Sequence, residues 1–118
     1  MSWTFDNDKP IYIQLIDLIR FKIISGEFSI GEKLSSVREL AEEAGVNPNT
    51  MQKALVELEK QGLVYTQRTT GRFVTEDKNH IKAVRDEYAT LKIKELTSAL
   101  LKLGYEHEEL LILLKENL

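Results

Sequence analysis

Residues 36–61, SVRELAEEAGVNPNTMQKALVELEKQ, hold two helix-period stripes with only Val46 between one stop signal and the next start signal. Ser36-Val37-Arg38-Glu39 has the form of a capping box, in which the Ser36 hydroxyl accepts the Glu39 N–H and Glu39 reaches back to the N–H of Ser36. Val37, Leu40, Ala41 and Ala44 then form the apolar stripe of a short helix, which Gly45 can end in a left-handed conformation. Asn47 is a good N-cap, Pro48 suits a first helical position, and Met51, Ala54, Leu55 and Leu58 supply a second stripe that Gly62 stops. Two helices joined by so short a glycine-containing turn form a helix-turn-helix.

The flanks extend that unit. PIYIQLIDLIRFKIIS, residues 10–25, opens with a helix-starting proline, and Ile11, Leu15, Leu18, Ile19 and Ile23 recur at helical spacing before Gly26. EFSIGEKL reads as a connecting turn. LVYTQ and RFVTE, on either side of RTTG, read as two short strands joined by a turn. Helix, helix, helix and hairpin over residues 10–75 describe a winged helix-turn-helix domain, mainly α within an α+β class. The expected division is a DNA-binding domain over residues 1–76 and a helical dimerisation segment over 77–118.

In that second segment Ala89, Ile93, Leu96, Leu100 and Leu103 follow alternating steps of four and three, a coiled-coil-like seam. Gly104 breaks the helix, and Glu106, Glu108 and Glu109 suit the first turn of another. The final helix carries Leu110, Leu111, Ile112, Leu113 and Leu114, apolar nearly all round. A two-helix hairpin cannot bury all of this against itself, so a partner is expected, and a homodimer is the simplest.

A chain of 118 residues accommodates one domain and an appendage. It lacks cysteine, which excludes disulfides and thiolate metal sites and fits a reducing cytoplasm. The N-terminus has no basic flank followed by an apolar stretch, and LLILL is far too short to span a bilayer. His80 and His107 lack a second close ligand, no nucleophile elbow or ordered triad is present, and no glycine loop suits a phosphate. No metal, cofactor or enzymatic activity is expected. The formal net charge of -3 argues mildly against nucleic acid, but the position of the charges matters more than their sum.

That layout favours DNA. The N-terminal residues of the second helix of a helix-turn-helix enter the major groove. Asn49, Thr50, Gln52 and Lys53 all fall within the first turn and a half, where Asn and Gln can bond adenine and Lys can reach guanine or phosphate. Asn47 belongs to the same cluster and also caps the helix. The acidic Glu57 and Glu59 lie in the distal half, expected to point away from DNA. Arg38 on the preceding helix is positioned for a phosphate, and Arg68, Thr70, Gly71 and Arg72 surround the tip of the hairpin, suited to minor-groove or phosphate contact. A rival from another class is a winged-helix protein-interaction module, which the acidic balance favours.

GEKLSSVRELAEEAGVNPNT, ALVELEKQGLV and GRFV resemble the DNA-binding domain of GntR-type bacterial transcription regulators, over about residues 10–75. PIYIQL, VNPNT and the short helical tail are similar to the small YtrA subfamily, which extends the likeness to almost the whole chain. The resemblance implies a homodimer that binds double-stranded operator DNA, usually a palindrome, usually to repress, often beside genes for ABC transporters. It places a DNA-contacting arginine at Arg38, beside Ser36, and a wing glycine at Gly71. Ser35 stands in place of a common proline, Thr69 in place of a frequent wing glycine, and Pro48 and Gln52 where many members carry DNA-contacting arginines. Gln52 would then favour adenine or a water-mediated contact. About forty residues after the wing leave no room for the separate effector domain of other branches, so the nature of any effector stays open.

Overall fold

Ser36 and Glu39 form the reciprocal cap in the computed structural model, which describes residues 3–118: the Glu39 N–H donates to Ser36 Oγ and the Ser36 N–H to Glu39 Oε1, both at 3.1 Å. The helix they start, α2 (Val37–Ala44), ends at Gly45 with φ 70° and ψ 34°. That left-handed geometry penalises any residue carrying a Cβ, and it turns the chain within two residues into α3 (Pro48–Lys60). Asn47 caps α3, its Oδ1 accepting the Asn49 N–H at 2.7 Å, and Pro48 occupies the first turn where no N–H is needed.

Before these comes α1 (Ile11–Ile24), which packs on α3, as α2 also does. Met51, Ala54, Leu55 and Leu58 of α3 are all buried between them. On α2 the expected stripe is buried at Leu40, Ala41 and Ala44 and half-buried at Val37. On α1 it is rotated: Ile11 is exposed and Leu18 half-buried, whereas Ile16, Lys22 and Ile24 join Leu15, Ile19 and Ile23 inside. Lys22 is 2% exposed. Its Nζ lies 2.5 Å from Glu27 Oε2, 4.6 Å from the centre of the Trp3 ring and 5.7 Å from that of Phe28. A carboxylate and two aromatic faces together satisfy a buried cation, which explains how a lysine takes a core position.

The hairpin consists of β1 (Val64–Gln67) and β2 (Gly71–Val74), antiparallel, with Val64 opposite Val74 and Thr66 opposite Arg72. Tyr65 and Phe73 stack across it at 5.5 Å. EFSIGEKL, expected as a simple turn, does more than turn. Lys33 bridges to Phe73, the Leu34 N–H donates to the Arg72 carbonyl and the Val74 N–H to that of Glu32, both at 2.9 Å, so the segment flanks β2 and satisfies its outer edge.

The chain continues as α4 (Lys78–Lys102) and, after a turn at Gly104, α5 (His107–Glu116). It divides into two compact units, one ending at Val84 and one running from Arg85 to Leu118. The division lies inside α4, later than the expected 76/77, because Ile81 is buried and the His80 ring bonds the Gln61 carbonyl at 2.6 Å. In the second unit Leu110 is buried, and Leu100 and Leu113 are half-buried. Ala89, Ile93, Leu96, Leu103, Leu111 and Leu114 are exposed. Among the described residues no helix is long and apolar enough to cross a membrane.

Candidate nucleic-acid interface

The three residues between α2 and α3, Gly45, Val46 and Asn47, leave the first turns of α3 uncovered. Asn49, Gln52 and Lys53 are exposed there and Thr50 is half-buried, while Met51 and Ala54 on the opposite face are in the core. Helical periodicity thus separates the polar residues from the buried ones. Asn47 spends its side-chain oxygen on the cap, leaving its amide hydrogens as the available donors. Arg38 is exposed on the first turn of α2.

The other predicted residues gather around the hairpin. Ser36, Arg68, Thr70, Gly71 and Arg72 all line one open cleft of about 710 Å³ between the start of α2 and the wing. Arg68 is exposed at the turn, and Thr70 is tied into it through a hydroxyl bond to Gln67 Oε1 at 3.1 Å. Gly71 has φ 124°, a backbone conformation that favours glycine, and the end of the Lys33 side chain lies against it, 3.2 Å from where a Cβ would stand. Lys33 lines the same cleft, a cation whose place is not visible in the sequence because its segment has only the pattern of a connecting turn.

Arg72 does not extend from the tip like a free phosphate contact. Its guanidinium lies back over α3, Nη1 donating to Gln52 Oε1 at 3.1 Å and Nε to Glu59 Oε1 at 3.4 Å. Thr66, opposite Arg72 in the hairpin, donates its hydroxyl to the same Glu59 oxygen. Glu59 is therefore turned toward the wing, where it neutralises Arg72, and Glu57 accepts from Gln61 at 3.4 Å instead. This chain of bonds joins the polar face of α3 to the wing. Glu39, which lines the cleft, is held below the usual carboxylate range by the Ser36 backbone N–H and then by its side chain. Behind the wing, burial and then Glu76, 3.4 Å away, push the Tyr65 hydroxyl up.

No group of His, Asp or Glu side chains among the described residues is arranged to hold a metal ion. Three helices with a glycine-tight turn, a polar exposed start to the third and a hairpin beside it define a winged helix-turn-helix DNA-binding protein. Residues 11–74 match the model for the bacterial regulatory proteins of the gntR family. HTH-type transcriptional regulator YhcF of Bacillus subtilis (strain 168) is 36% identical over 111 residues, 94% of this chain and 92% of YhcF. The HTH-type transcriptional repressor YtrA of the same strain is 43% identical over 68 residues, 58% of this chain and 52% of YtrA. A solved GntR family transcriptional regulator from Listeria monocytogenes superposes with a TM-score of 0.86 at 40% identity, covering 95% of this chain and 98% of that one. The chain belongs to the GntR family: it is a DNA-binding transcription regulator, not an enzyme.

Proposed function

We propose that the chain is a homodimeric repressor of the YtrA type that binds a two-fold-symmetric operator. In this reading α3 enters the major groove, with Asn49, Thr50 and Gln52 facing base edges and Asn47 and Lys53 at the groove's margin. Arg38 and Ser36 meet the phosphates of one strand, and Arg68, Thr70 and Gly71 carry the wing to the neighbouring backbone or minor groove. The observation that carries it is the exposed polar start of α3, beside a cleft lined by the exposed Lys33 and Arg68, with Arg72 already neutralised by Glu59 and Glu39 as the carboxylate in the lining. Repression is supported by the likeness to YtrA, a named repressor. Control of a neighbouring ABC transporter operon rests on the same likeness. The exposed Ile93, Leu96, Leu103 and Leu111 of α4 and α5 support self-association.

A gel shift with the chain's own upstream region, run at several salt concentrations, tests the reading. Specific retention that weakens steeply with salt is expected. Retention of a protein partner with no preference among DNA sequences would sink it and favour the protein-interaction module.

A further inference from the structure

Gln52 could read DNA in opposite ways, because its amide carries both an acceptor and a donor. The contact with Arg72 decides between them. A guanidinium can only donate, so the Gln52 atom 3.1 Å from Nη1 has to be the carbonyl oxygen. The amide hydrogens therefore lie on the side away from Arg72. Arg72 is itself well fixed: it sits in β2 opposite Thr66, its carbonyl accepts from Leu34, and its Nε is held by Glu59. Its side chain is only 17% exposed, whereas Gln52 is exposed.

We propose that Gln52 and Arg72 form a single base-reading unit, in which Arg72 turns the Gln52 amide donor outward so that the pair selects guanine over adenine. This rests on the operator-binding reading above and deepens it. The bidentate glutamine–adenine pair needs the amide oxygen to accept from adenine N6 while the nitrogen donates to N7. Here that oxygen already accepts from a cation. Its second lone pair could be used only by bringing the N6 hydrogens beside the guanidinium, donor against donor. Guanine offers acceptors at both O6 and N7, which suit the amide hydrogens and the adjacent positive charge together. Adenine, the partner expected from residue type alone, is thus replaced by guanine.

Selection of binding sites from a random duplex pool, with the full chain and its variants, tests this. The base pair that Gln52 reads is the one whose preference collapses, by about tenfold, in Gln52→Ala. Wild type is expected to enrich guanine there. Gln52→Glu keeps an acceptor for Arg72 but presents an acceptor outward, and should move the preference to cytosine, whose N4 donates. Arg72→Met releases the amide and should move it toward adenine; thermal melting checks that this variant is folded, and Gln52→Glu, an exposed near-isosteric change, tests the pairing without it. Adenine enriched by wild type at that position, or guanine enriched as strongly after Arg72→Met, would overturn the pairing while leaving operator binding intact. A pool from which no sequence is enriched would instead overturn the operator-binding reading.

Discussion

Leu103 and Ile93 are 73% and 62% exposed in the single chain, so replacing either with Asp should leave the protomer's own stability within about 0.5 kcal/mol. If the helices pair, the same change falls in the interface. The burial lost at Leu103 alone is roughly three-quarters of a leucine's transfer energy, about 1.5 kcal/mol per protomer. The carboxylate then either stays charged in an apolar seam or takes up a proton. Neutralising an aspartate at pH 7 from its ordinary pKa costs about 4 kcal/mol, which caps the electrostatic penalty per protomer. A two-fold axis repeats both terms, so the dimer should weaken by at least about 3 kcal/mol, roughly a hundredfold in Kd, from the apolar part alone. Sedimentation over a range of protein concentrations measures this, with circular dichroism to confirm that the helices persist. Operator affinity should fall in parallel, because two recognition helices bound as one unit see the second half-site at an effective concentration on the order of millimolar. A chain ended after Val84 keeps the buried Ile81 and should behave as a folded monomer with the same defect. Wild-type self-association in folded Leu103→Asp and Ile93→Asp would refute the reasoning, since it would place any interface elsewhere.

Arg38→Ala should weaken binding to every duplex alike and lower the slope of log affinity against log salt by about 0.9, one phosphate contact; an unchanged slope in fluorescence titrations excludes that contact. Glu39, whose carboxyl the Ser36 cap holds low, contributes stability that is full above the ordinary carboxylate pKa and lost as pH falls through its folded value. Glu39→Gln should therefore melt below wild type at neutral pH, and the gap should close in acid; a gap independent of pH would contradict the cap's ionic part. Lys22→Met should change stability by less than about 1 kcal/mol in chemical denaturation, since methionine keeps the packing of the stem and Glu27, whose side chain is 34% exposed, can be hydrated in place of the lost ion pair. Lys22→Ala should cost about 2–3 kcal/mol through the stem packing it removes.

What could be read from the chain alone follows the range of the forces involved. The caps at Ser36 and Asn47 and the left-handed Gly45 depend on residues within three positions of one another, so their types and spacing suffice. The buried stripe of α3 was legible for the same reason, as periodicity is a local property. Lys22 was not, because Trp3 and Phe28, which make its burial tolerable, arrive from segments on either side of α1. Lys33 was missed because its role depends on an edge that β2 presents only after the hairpin forms. The candidate interface divides along the same line. That Asn49, Thr50, Gln52 and Lys53 face outward follows from helical phase. What Gln52 presents does not, because its partner lies 20 residues further along the chain, on the wing. Residue type supplies a list of donors and acceptors; the tertiary contact removes some of them before DNA arrives. A guanidinium that cannot accept removes the carbonyl of Gln52 and leaves its hydrogens, and the base those hydrogens favour differs from the one the glutamine would favour alone.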